Sequence, residues 1–88
     1  EHMLSVMANP IRFHLLCALE RHPFSVSELV ELSGSKLSNV SQQLKMMTLA
    51  GYVSKERQGK QTIYTLKDER IRQLLCTLEG LFTSSEAQ

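Results

Sequence analysis

The sequence has 88 residues, which is long enough for one compact domain and too short for two. The formal net charge is +1, and no apolar run reaches the roughly 18 residues of a membrane span, so we expect a soluble, cytoplasmic protein rather than a membrane protein. Charge is segregated, because the window from Lys36 to Gln61 has five basic residues and one acid, whereas the remainder has five basic and eight acidic residues. A local positive surface of this kind suits a polyanionic partner.

We predict a single domain that spans residues 1–88. The first part of the sequence predicts two helices. Apolar residues from Met3 to Ala8 end at Asn9 and Pro10, and proline suits the first turn of a following helix. Leucine and isoleucine at helical spacing continue that second helix to Glu20. We regard residues 1–2 as a cloning remnant and residues 84–88 as a frayed tail.

A capping box predicts the start of a third helix. Ser25 and Glu28 have the Ser-x-x-Glu spacing, and Gly34 ends the segment. Residues 36–50 then form a fourth helix, which stops at Gly51. The predicted apolar stripe of this fourth helix consists of Leu37, Val40, Leu44 and Met47. Two short helices joined by a tight turn are typical of a helix-turn-helix motif.

The opposite face of the fourth helix is rich in side chains that can form hydrogen bonds with bases. A merely solvated helix would favour Glu and Lys over serine and amide side chains. We therefore predict that this helix lies in the major groove of double-stranded DNA. Its candidate DNA-binding residues are Lys36, Ser38, Asn39, Ser41, Gln42, Gln43 and Lys45.

Two β-prone runs predict a hairpin after this helix. Tyr52–Glu56 and Gln61–Leu66 form the strands, and Arg57–Lys60 form a glycine-containing turn. The cations of this wing, residues 55–61, suit phosphates or the minor groove, and the candidate contacts are Arg57 and Lys60. The predicted fold is a winged helix-turn-helix, mostly α with a small β-hairpin, in the order α-α-α-α-β-β-α.

The last predicted helix has an apolar stripe that needs a partner surface. Asp68 can cap this helix at its N-terminus. The stripe that follows consists of Ile71, Leu74, Leu75, Leu78, Leu81 and Phe82.

Four blocks of sequence resemble the ArsR/SmtB family of winged-helix repressors, in the family's order and spacing. They are Met7–Arg12, Ser25–Leu29, Ser38–Lys45 and Gly59–Leu66. The resemblance implies a homodimer held by the first and last helices, a pseudo-palindromic operator, and repression by occlusion of a promoter. It assigns Leu4 and Met7, with the apolar stripe of the last helix, to the dimer interface.

The resemblance also indicates where a signal could act. One set of family metal-ligand positions falls on Ser25 and Ser27, which are poor ligands for soft metals. The second set falls on Asp68, Arg70, Leu81 and Ser84. Only the aspartate could bind a metal, so we predict neither a metal site nor a cofactor.

Cys17 stands where thiol-switch members of the family have a reactive cysteine. Their second cysteine would fall near Thr83, whereas this chain has Cys76, about two helical turns earlier. A redox role for the two cysteines and simple core packing both stay open.

Three other functions can be compared with the sequence: an enzyme, a protein-binding module and an activator of transcription. An enzyme with a small-molecule substrate is not expected, because the chain lacks a glycine-rich phosphate loop, a nucleophile elbow and clustered catalytic side chains. A winged helix can also bind proteins, although aromatic residues would then be expected on the fourth helix. A DNA-binding anti-silencer that activates transcription is a third possibility. The main prediction is a homodimeric repressor. The sequence does not define its operator, its target genes or its inducer.

Overall fold

The computed structural model describes the backbone of residues 2–87 and the side chains of residues 3–81. Within that part of the chain, the elements are α1 (His2–Met7), α2 (Pro10–Arg21), β1 (Phe24–Ser25), α3 (Val26–Ser33), α4 (Leu37–Leu49), β2 (Val53–Gln58), β3 (Gln61–Leu66) and α5 (Glu69–Ala87). The predicted winged helix-turn-helix order is confirmed, with β1 as an addition. None of the described helices is long and apolar enough to cross a membrane.

The predicted helix starts are confirmed by their caps. The side chain of Asn9 accepts hydrogen bonds from the backbone N–H groups of Ile11 and Arg12, at 3.0 and 3.1 Å. The Ser25 hydroxyl accepts from the N–H of Glu28 at 3.2 Å, and the Glu28 carboxylate accepts from the N–H of Ser25 at 2.8 Å. These bonds satisfy amide groups that the first turn of a helix leaves without partners.

The sheet differs from the predicted hairpin in two respects. β1 pairs with β3 in the strand order β1-β3-β2, and a two-residue strand is too short to show an alternating pattern in sequence. The turn of the wing is also shorter than predicted, because Gln58 pairs with Gln61. Arg57 and Gln58 therefore belong to β2, and Gly59, with φ of 65°, begins a two-residue loop.

The core includes one face of α4. Val40, Leu44 and Met47 have no exposed surface and lie in the same cluster as Leu16 of α2. Leu37, which the sequence placed on this apolar stripe, is instead 59% exposed. It is the first residue of α4, and it does not belong to the core cluster that the other residues of this stripe join.

Part of the apolar stripe of α5 is also internal. Ile71, Leu75 and Met7, which were predicted at a dimer interface, are buried within the single chain and cannot form an exposed contact surface. Leu74 and Leu78 are half-buried. Leu4 and Leu81 are exposed, whereas the side chain of Phe82 lies outside the described residues.

Asp68 caps α5 as predicted. Its carboxylate accepts a hydrogen bond from the backbone N–H of Arg70 at 2.9 Å. The helix continues to Ala87, so it extends into the segment 84–88 that was predicted to be a frayed tail.

We expect Ser25→Ala to lower the free energy of unfolding by about 1 kcal/mol, because the variant cannot form the capping bond to Glu28. Urea unfolding followed by circular dichroism measures the change. Ser27→Ala is the matched control, since Ser27 is exposed and lies in the first turn of the same helix. Equal stability of the two variants would contradict a stabilising role for the capping box.

Candidate nucleic-acid interface

The burial of one side of α4 determines which of its residues face outward. Ser38, Ser41, Gln42 and Lys45 are exposed, and so is Lys36 at the N-cap. Within the described part of the chain, these side chains have no internal partner. Their donors and acceptors are therefore free to bind an external ligand.

Two of the predicted DNA-binding residues, Asn39 and Gln43, are half-buried and take part in hydrogen bonds within the molecule. Nη1 of Arg12 donates a hydrogen bond to Oε1 of Gln43 at 3.3 Å, and Nε2 of Gln43 donates to Oδ1 of Asn39 at 3.3 Å. Nε of Arg12 also donates to the backbone carbonyl of Val6 at 3.0 Å. Arg12 thus joins the end of α1 to the middle of α4.

This role of Arg12 was not predicted from the sequence. Its only signal was the position of Arg12 in the first block of the family resemblance, and that block does not indicate a contact with α4. The contact depends on how α2 crosses α4, which a one-dimensional pattern does not show.

The wing has its cations on one face. Val53, Lys55 and Arg57 alternate along β2 and therefore lie on the same side of the hairpin, whereas Glu56 lies on the other. Val53 is buried, so this side is the one that faces the helices. Lys55 was not among the predicted site residues, although strand alternation could have identified it.

The tip of the wing is positively charged. Lys60 is exposed in the two-residue loop. Nε of Arg57 donates a hydrogen bond to the carbonyl of Gly59 at 2.9 Å, which holds the guanidinium across the turn. The rest of this planar fork stays available to an anion.

Cys17 lies in α2 at an open groove of about 360 Å³. The groove is lined by His14, Cys17, Ala18, Arg21, Phe24 and Leu32. Burial raises the pKa of the Cys17 thiol, and the nearby carboxylate of Glu79 adds to the effect. This thiol is therefore mostly protonated at neutral pH.

Cys76 lies on the exposed surface of α5, and its Sγ donates a hydrogen bond to a carboxylate oxygen of Glu20 at 3.5 Å. This bond raises the pKa of the Cys76 thiol, because it stabilises the protonated form. Both cysteines are free thiols. Neither has the lowered pKa that characterises a reactive cysteine.

The candidate metal positions have other roles in the structure. Ser25 is the N-cap of α3, and the Asp68 carboxylate forms an ion pair with Arg70 at 2.8 Å, whose hydrogen bond lowers the pKa of Asp68. Among the described residues, no three His, Cys, Asp or Glu side chains are grouped closely enough to hold a metal ion.

Comparison with known proteins yields a family match over residues 9–55, to the model described as bacterial regulatory protein, arsR family. The biofilm growth-associated repressor of Xylella fastidiosa (strain Temecula1) is 33% identical over 87 residues, which cover 99% of this chain and 76% of the relative. The crystal structure of the transcriptional repressor BigR from Xylella fastidiosa has a TM-score of 0.84 and 34% identity, covering 90% of this chain and 81% of that one.

A more distant structure has the same fold. It is the homodimeric winged helix-turn-helix DNA-binding domain of Mb0332 from Mycobacterium bovis, with a TM-score of 0.78 and 21% identity. The superposition covers 92% of this chain and 75% of that one.

We expect both cysteines to react with iodoacetamide more slowly at pH 7 than a cysteine in an unstructured peptide. A raised pKa leaves less thiolate at neutral pH, so each rate should continue to rise above the ordinary thiol range near about 8.5, where the rate of the peptide levels off. Mass spectrometry of Cys17→Ser and Cys76→Ser assigns each rate. Glu20→Gln should accelerate Cys76, because it removes the carboxylate that accepts the hydrogen bond of the thiol and, with it, the negative charge beside the sulfur. Reaction of either thiol at pH 7 faster than the peptide would refute this account.

Proposed function

The chain belongs to the ArsR family of bacterial regulatory proteins, and we propose that it is a homodimeric repressor that binds a specific operator in double-stranded DNA. The observation that carries the proposal is the outward face of α4. Ser38, Ser41, Gln42 and the lysines of this face are exposed and have no internal partner among the described residues, and they lie beside a wing with cations on the side that faces the helices.

In the proposed complex, α4 enters the major groove and the wing follows the backbone. Ser38, Ser41 and Gln42 contact base edges, because hydroxyl and amide groups match the donors and acceptors of the major groove. Asn39 and Gln43 act with Arg12 to hold α4 in place. The phosphates, which position the protein without selecting a sequence, are contacted by the cations Lys36, Lys45, Lys55, Arg57 and Lys60.

We propose that α1 and α5 form the dimer interface through their residues that are not buried in the single chain. Leu4 and Leu81 are exposed, and Leu74 and Leu78 are half-buried, so an apolar edge stays in contact with water in one protomer. A two-fold dimer covers this edge and presents two copies of α4 to half-sites about 34 Å apart, or a multiple of that distance.

The alternatives are distinguished by DNA binding and by its effect on transcription. A winged-helix module that binds a protein would not select a DNA sequence. An anti-silencer would bind DNA and raise transcription from the promoter, whereas the relative from Xylella fastidiosa is named as a repressor. Transcription in vitro from the bound promoter therefore separates repression from activation.

The signal that releases the protein from DNA is a separate part of the proposal. Cys17 is the candidate sensor because a reagent can reach it through the groove, but the raised pKa of both thiols favours slow reaction. Operator binding by the reduced protein, compared with binding after polysulfide treatment, tests this switch. Release that coincides with a modified Cys17, and that Cys17→Ser abolishes, would support it.

We expect Gln42→Ala to lower discrimination between operator and random DNA by about 1 to 3 kcal/mol, because the variant has no amide to bond a base edge. Fluorescence anisotropy with both duplexes measures the difference. Gln73→Ala is the matched control, since it removes an exposed amide from α5 instead. An equal drop in affinity for both duplexes would exclude base recognition by Gln42.

We expect the double variant Arg57→Gln, Lys60→Gln to weaken binding to operator and random DNA alike. The slope of log affinity against log salt should become shallower by about 0.9 for each phosphate that the variant no longer neutralises, or about 3.6 for a dimer. Lys67→Gln is the control, because Lys67 is exposed just after β3, at the opposite end of the strand from the tip. An unchanged slope in the double variant would remove the wing from the interface.

A further inference from the structure

The first residue of α4 is an exposed leucine. Leu37 is 59% exposed, although it continues the helical spacing of three fully buried core residues. Ser38 is its neighbour in sequence, and Ser41 lies one helical turn further along the same face. An exposed isobutyl group therefore stands at the first turn of the helix, at the border between the apolar stripe and the face to which we assign base contacts.

The leading end of a recognition helix is the part that approaches the bases. In helix-turn-helix proteins, the N-terminal residues of the second helix contact base edges. Leu37 has neither a donor nor an acceptor, so beside G·C it would displace water from polar groups without replacing their hydrogen bonds. The C5-methyl group of thymine is the apolar partner that the major groove offers.

Resting on the proposed function, we propose that Leu37 is a specificity-determining residue that selects thymine through its methyl group, at one position in each half-site. The serine and amide side chains of α4 recognise bases through hydrogen bonds. Leu37 contributes because its contact with the thymine methyl group removes both apolar surfaces from water. The operator then contains a position whose preference depends on a single methyl group.

A second exposed leucine on α4 serves as the matched control. Leu49 is 80% exposed, but it is the last residue of the helix and lies about 18 Å along the axis from Leu37. In the proposed complex, the first turn of α4 occupies the major groove, and a residue at that distance lies outside it. Leu37→Ala and Leu49→Ala therefore delete the same side-chain atoms from an exposed position, and only one of them faces a base.

The experiment removes the methyl group from the DNA and the isobutyl group from the protein. The wild-type dimer first selects its operator from a pool of random duplexes, and anisotropy gives its affinity for the selected duplex. Each thymine is then replaced by deoxyuridine, which differs only in lacking the methyl group. The same set of duplexes is measured with Leu37→Ala and Leu49→Ala.

We expect one symmetric pair of thymines at which deoxyuridine weakens wild-type binding, by about fourfold for one half-site and about fifteenfold for both. Leu49→Ala should show the same weakening. Leu37→Ala should bind the thymine and deoxyuridine duplexes equally, with unchanged thermal unfolding, because the deleted side chain is exposed.

The possible failures are distinguishable. If the wild-type protein selects an operator but no thymine depends on its methyl group, the role of Leu37 is overturned and the proposed function stands. The same conclusion follows if Leu37→Ala keeps the full thymine preference. If no sequence is enriched from the pool, the proposed function itself fails.

Discussion

The rotational setting of α4 is the constraint on which the rest of the surface depends. Val40, Leu44 and Met47 are fully buried, and burial of side chains of this size is worth about 1.5 to 3 kcal/mol each. Turning the helix by one residue would expose this face. The free energy lost from burial would exceed the free energy that a single base contact contributes. The core therefore decides that Ser41 and Gln42 face outward.

The recognition helix is connected to neighbouring elements at its middle and just beyond its C-terminus. Arg12 links Gln43 to the carbonyl of Val6 at the end of α1. Beyond the C-terminus of α4, the carbonyl of Tyr52 accepts hydrogen bonds from the N–H groups of Lys67 and Asp68, just before α5. The two elements of the proposed dimer interface are thus joined to the helix that would bind DNA, so dimer geometry and helix spacing are coupled.

Electrostatics divides the molecule into two regions with different tasks. The cations of α4 and the wing are exposed, and in the region that contains them Glu56 is the single acid. Around the cysteines, by contrast, burial of Cys17 and the hydrogen bond from Cys76 to Glu20 raise the pKa values of the thiols, and the carboxylates of Glu20 and Glu79 add to the effect at both. A surface that attracts phosphate is therefore separate from a region where negative charge suppresses thiolate formation.

The sequence by itself determined the features that depend on local pattern, whereas tertiary structure alone decided which surfaces meet. The capping box at Ser25, the Asp68 cap and the hairpin follow from residue types at fixed spacing, because their hydrogen bonds join positions close in the chain. The winged-helix fold and the outward face of α4 followed from the same patterns, together with the family resemblance. The pairing of β1 with β3 and the hydrogen bond from Arg12 to Gln43 join residues far apart in sequence, so no local pattern predicts them. Leu37 shows the limit most clearly, because periodicity places it on an apolar stripe, and only the packed chain shows where the core beneath that stripe ends.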